Sequence, residues 1–98
     1  MKHKISEVNV VPIKPQNGLI AIASIVFDGC LYLGSIGIYT SKNGEFRLTY
    51  PTRKNRLHSY NVFHPINQEI SNQIKREVIK KFEEVMKNYA GYSGLGTQ

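Results

Sequence analysis

The run Leu19 to Phe27 is apolar on both of its alternating sides. Leu19, Ala21, Ala23, Ile25 and Phe27 point one way along an extended chain, and Ile20, Ile22, Ser24 and Val26 the other. A strand with two apolar faces needs cover on both. Ahead of it, in Ile5 to Ile13, Val8 and Val10 alternate with Glu7 and Asn9. Behind it, Cys30 to Tyr39 and Glu45 to Tyr50 read as further strands. Asn17-Gly18, Asp28-Gly29 and Asn43-Gly44 separate these segments, and each pair tolerates the positive φ that tight hairpin turns require. The pattern therefore predicts an antiparallel β-meander of four to five strands. Pro12 and Pro15 put the first strand at a sheet edge, since proline donates no ladder hydrogen bond.

After His64-Pro65-Ile66-Asn67 the period changes. Ile70, Ile74, Val78, Phe82, Val85 and Tyr89 recur at spacings of three and four, the stripe of a core-facing helix from Gln68 to Tyr89. Asn67 suits its N-cap, and Gly91 can take the left-handed position past its end. The expected fold class is α+β, with the one C-terminal helix packed on the meander. Residues 1–90 form a single domain and 91–98 a flexible tail. One helix covers one sheet face. A second copy of the chain is the economical cover for the other, which predicts a homodimer. The plainer alternative is that small aliphatics simply tolerate partial exposure.

Length adds a bound: 98 residues leave no room for a second core. Lone Cys30 excludes an intramolecular disulfide and a cysteine-rich zinc site, and favours a reduced setting. The start, Met-Lys-His-Lys-Ile-Ser-Glu, lacks the apolar core of a signal peptide, and no apolar run is long enough for a spanning helix. A cytoplasmic protein without membrane insertion is expected.

Charge changes the picture more. Thirteen Lys and Arg against seven Asp and Glu give a net +6, which raises the prospect of a polyanionic partner. On the helix, Lys75, Arg76, Lys80, Lys81 and Lys87 are nearly balanced by Glu69, Glu77, Glu83 and Glu84. Glu77 with Lys81 and Glu83 with Lys87 have the spacing of surface ion pairs. Arg76, Lys80 and Lys87 project together, opposite the apolar stripe, and are a secondary phosphate contact. The surplus lies between Lys42 and His58, where Lys42, Arg47, Arg53, Lys54 and Arg56 face Glu45 alone. Phe46, Tyr50 and Tyr60 interleave with them and offer rings for base stacking if they are not core. Arginine's planar fork suits phosphate oxygens, and several in one loop can follow a backbone. A connector kept charged for solubility is the bland alternative.

Other chemistry finds little support. His58 and His64 have no Cys, Asp or Glu beside them in sequence to complete a metal set. Asp28 is the only aspartate and sits in a turn, and the glutamates lie mostly along the helix, so no carboxylate pair suggests acid–base catalysis. No phosphate-binding glycine loop or nucleophile elbow occurs; Gly34 and Gly37 fall within a strand, where they suggest a bulge or a close backbone approach. Neither an enzyme, a cofactor nor a small-molecule substrate is expected.

With these residues laid out, the chain resembles the SpoVG family, the septation or stage V sporulation protein G of bacteria. The resemblance covers about Ile5 to Phe82. It rests on I-S-E-V-N-V at Ile5 to Val10, A-I-A-S-I-V-F-D at Ala21 to Asp28, and N-G at Asn43-Gly44. P-T-R-K at Pro51 to Lys54 and H-P-I-N at His64 to Asn67 complete it. It implies a homodimer of sheet-plus-helix subunits that binds DNA, and in some members RNA, to regulate transcription in sporulation, septation and cell division. Where family members often carry T-P-x-G-E, this chain reads N-R-L-H-S at Asn55 to Ser59, so it reads as a divergent member. The nucleic-acid-binding residues expected are Arg53, Lys54 and Arg56, with Arg47 and Lys42 beside them and Arg76, Lys80 and Lys87 second. The competing expectation is a protein-interaction module whose basic loop meets an acidic partner. Contact of the same charges with an anionic membrane surface is a third.

Overall fold

The computed structural model describes residues 3–97, with side chains through Asn88. Four strands, β1 (Ile5–Gln16), β2 (Leu19–Phe27), β3 (Leu31–Thr40) and β4 (Phe46–Thr49), form one antiparallel sheet in the order β1-β2-β3-β4. This is the expected meander, and its first strand lies at an edge as its prolines require. The tight turns form where Asn-Gly and Asp-Gly were read: Asn17, Gly18, Asp28, Gly29 and Gly44 all have positive φ.

The helix α1 (Gln68–Thr97) packs across one face of the sheet. Asn67 caps it, its Oδ1 accepting a hydrogen bond from the Ile70 N–H at 2.8 Å. The helical backbone runs on past Gly91, where a stop was expected. Glycine permits a left-handed cap but does not impose one, and no proline follows to halt the ladder. The side chain of Tyr89, the expected last member of the stripe, and Gln98 at the end of the expected tail lie outside the described residues.

Between sheet and helix sits the core. Val10, Ala21, Ala23, Ile25, Ile36 and Ile38 meet Ile70, Ile74, Val78 and Phe82. Ala21 and Ala23 are small because they lie under the helix, while Ile25, Ile36, Ile38 and Val78 fill the space around them. Phe46 closes the β4 side, its ring edge-on to Phe82 at 5.3 Å between centres.

The sheet has four breaks in register, and two of them flank the middle of β2. β1 carries an extra residue between Ser6 and Asn9, and β3 carries one between Leu33 and Ile36, both opposite the Ser24–Ile25 stretch of β2. Glu7 and Ser35 take positive φ there, at 45° and 59°. Gly37 answers the second expectation for strand glycines: a Cβ on it would lie 2.7 Å from Thr49 Oγ1. The face turned from α1 carries Val11, Ile22, Val26 and Tyr32, of which Val11 is 62% and Tyr32 73% exposed. Among the described residues, no helix is long and apolar enough to cross a membrane.

The segment expected to be a basic loop is not a loop. Thr52–Lys54 (β5) and Ser59–Asn61 (β6) pair antiparallel as a separate two-stranded hairpin, in the register Thr52↔Asn61, Arg53↔Tyr60 and Lys54↔Ser59.

Candidate nucleic-acid interface

The hairpin is rooted in the body and free beyond its root. Tyr50 and Phe63 meet edge to face at 5.8 Å, and the Val62 N–H donates to the Pro51 carbonyl at 2.7 Å. Burial pushes the Tyr50 phenol above its ordinary pKa, consistent with a ring that belongs to the body. From Thr52 to Val62 every residue is exposed.

Its tip is held by one side chain. Asn55 Oδ1 accepts hydrogen bonds from the Leu57 N–H at 3.0 Å and the His58 N–H at 2.8 Å, while the Asn55 N–H donates to the His58 carbonyl at 2.9 Å. This is an Asx-type turn, which asparagine favours because its amide mimics the backbone. It fixes Arg56 and Leu57 at the apex.

Residues directly opposite in an antiparallel pair share a face. Arg53 and Tyr60 therefore stand on one face of the hairpin, and Lys54 with Ser59 on the other. The arm presents a cation on each face and a third at its tip. It can grip an anion-lined surface from more than one side.

The remaining sequence-derived residues lie in two other places. Arg47 projects on the sheet face away from α1, its guanidinium carbon 5.2 Å from the centre of the Tyr39 ring. Lys42 is exposed in the turn before β4. Arg76 and Lys80 are on the opposite side of the sheet, where they line a groove of about 840 Å³ with Glu45, Phe46, Glu77 and Glu83. That groove is mixed in charge rather than basic. Lys87 is exposed further along α1. By register Arg47 faces away from Arg76 and Lys80, although at this edge strand it also borders a cleft with Asn72 and Lys75 of α1. The cations of the hairpin lie together on one short element. Among the described residues, the ion pair on the helix is Lys81 Nζ to Glu84 Oε1 at 3.3 Å, in place of the expected pairs of Lys81 with Glu77 and Lys87 with Glu83.

Sequence reasoning found the arm's cations and missed its form. With all its positions exposed, the hairpin has no apolar alternation to betray it. The usable signal was Asn55 set between Thr-Arg-Lys and Ser-Tyr-Asn-Val, a turn former flanked by β-formers. Leu57, 84% exposed at the apex, was passed over altogether.

Comparison with known proteins fits this architecture to a family. The sequence profile of the SpoVG family matches residues 3–84, the whole sheet, the whole arm and the first part of the helix. The chain belongs to the SpoVG family. Among relatives provisionally named septation protein SpoVG, one from Caldicellulosiruptor saccharolyticus is 32% identical over 84 residues, covering 85% of this chain and 94% of that protein. One from Phytoplasma australiense is 29% identical, covering 87% and 88%, and one from Treponema denticola is 30% identical, covering 83% and 87%. At these identities the chain is a divergent SpoVG member.

Elsewhere the SpoVG chain ties its beginning to the sheet. Asp28 accepts from the Lys4 N–H at 2.8 Å and pairs with His3 Nδ1 at 3.0 Å. The Lys4 amide, with a smaller contribution from His3, holds the Asp28 carboxyl below its ordinary pKa. His64 Nδ1 lies 2.9 Å from the Pro65 carbonyl, a local contact just ahead of the helix start.

Proposed function

We propose that this SpoVG protein is a homodimeric nucleic-acid-binding regulator that acts on DNA, with RNA as a second target, in septation, sporulation and the control of gene expression. The observation that carries the reading is the arm. Arg53, Lys54 and Arg56 stand on an element that contributes nothing to the core and is exposed throughout. Surface that folding does not need is free to be chosen for a partner, and three cations on one exposed ribbon suit phosphate. Lys42 and Arg47 extend the contact, and Arg76, Lys80 and Lys87 form a weaker second surface. The uncovered sheet face with Val11 and Tyr32 supports the homodimer, which would present two arms and raise avidity.

The test is fluorescence anisotropy over a salt series with mixed-sequence duplex and single-stranded probes. Changing Arg53, Lys54 and Arg56 together to Ala should weaken binding and flatten the salt dependence by about one unit of slope per lost phosphate contact. Unchanged affinity and slope would remove these residues from the interface. Light scattering should return the mass of a dimer; a monomer would remove the paired-arm part of the reading.

A second reading has the arm meet an acidic protein. Ile66, 87% exposed near the arm's root, favours it, because protein partners bury such side chains. It predicts no binding to either probe at moderate salt and recovery of an acidic protein by pull-down.

A further inference from the structure

Leu57 is the anomaly of the arm. A large apolar side chain, 84% exposed, stands at the apex of the hairpin among the polar and cationic turn residues Asn55, Arg56 and His58, and is more exposed than Tyr60 or Val62 lower on the arm. Nothing in the body needs it there. The Asn55 amide oxygen holds the Leu57 N–H directly, so the residue is presented on a fixed turn and not on a wandering loop. A fixed apolar tip between cations suits a target that is anionic at its margins and apolar at its floor.

Duplex DNA has that arrangement in its major groove. Phosphates border the groove, and thymine exposes a 5-methyl group on its floor. The dimensions agree as well. Two strands about 4.8 Å apart, with side chains, span a width that the major groove of about 12 Å admits and the minor groove of about 6 Å does not. The paired length of about 10 Å for three residues per strand is of the order of the groove depth, about 8.5 Å. The cations point the same way. Arg53 and Lys54 are on opposite faces of the hairpin, so each can address the phosphates of a different strand while the apex enters between them. A single strand stacked on the arm would use the Arg53–Tyr60 face and leave Lys54 idle.

Resting on the nucleic-acid reading above, we propose that the β5–β6 hairpin enters the major groove of duplex DNA and that Leu57 reads thymine methyl groups at its floor. Arg53 and Lys54 supply affinity without sequence preference. Leu57 makes the chain favour thymine over any base lacking the methyl.

Two synthetic duplexes of equal length, alternating d(A-T) and alternating d(A-U), differ in that methyl group alone. In anisotropy titrations the wild-type chain should bind d(A-T) about fourfold more tightly for each methyl buried. Leu57→Ser should erase the preference and keep the salt slope, whereas Arg53→Ala with Lys54→Ala should weaken both duplexes and keep the preference. Because the tip is exposed, circular dichroism of Leu57→Ser should match the wild type. Equal wild-type affinity for the two duplexes, a preference that survives Leu57→Ser, or tighter binding to a non-self-complementary single strand of the same length would each overturn the assignment. Absence of binding to any nucleic acid would instead remove the reading on which it rests.

Discussion

The sheet–helix body and the β5–β6 arm are made of the same chain under opposite constraints. In the body, side chains are chosen by what they touch: Ile25, Ile36, Ile38 and Val78 are fully enclosed, and Gly37 is fixed by the approach of Thr49. In the arm, Thr52 to Val62 touch little but water. Its geometry depends on the Asn55 turn, on a short ladder and on the Tyr50–Phe63 root. A residue identity in the body therefore speaks about folding. One in the arm, where folding makes no demand, speaks about something outside the chain.

That contrast can be broken by mutation. The largest effect should come from Ile25→Ala, which opens a cavity in the centre of the sheet and should lower unfolding stability by about 2–5 kcal/mol in urea titration. If the loss were below 1 kcal/mol, the core would be far looser than its burial indicates. Next comes Asn67→Ala at the helix cap, expected to cost about 1 kcal/mol in the same titration. The joint change of Arg53, Lys54 and Arg56 to Ala should move stability by no more than about 0.5 kcal/mol. A large shift there would mean that the arm supports the body and would blur the distinction. The smallest effect concerns the exposed Asp28 contact. Its carboxyl titrates lower in the folded chain than in the unfolded one, so its stabilisation is present above the ordinary carboxylate pKa and fades as pH falls through the lowered value. Amide exchange at Lys4 should therefore quicken in acid, and Asp28→Asn should make it insensitive to that titration.

The same contrast explains what could be read ahead of the structure. Strand alternation in β2, the Asn-Gly and Asp-Gly turns and the 3.6-residue stripe from Ile70 are imprints of burial, so the body was legible in its order and faces. Burial leaves no imprint on the arm, where the cations were visible as composition but the hairpin that separates Arg53 from Lys54 was not. Composition likewise does not show that Arg47 and Arg53, close in sequence, stand on different elements, one on a strand of the main sheet and one on the separate ribbon. The end of α1 was misread for another reason: glycine's conformational freedom marks where a helix can stop, not where it does.

The Val62 N–H to Pro51 carbonyl bond at the root has a consequence for how such a protein can change over generations. It closes the chain across the base of the arm before β5 begins. Everything between Thr52 and Asn61 is thus a cassette whose two ends are already held together. Substitutions, and even changes of length, inside that cassette should therefore leave the core's free energy nearly untouched. A lineage can then try new partners through the arm without first acquiring compensating mutations in the fold. The N-R-L-H-S segment at Asn55 to Ser59, with Arg56 and Leu57, falls inside the cassette.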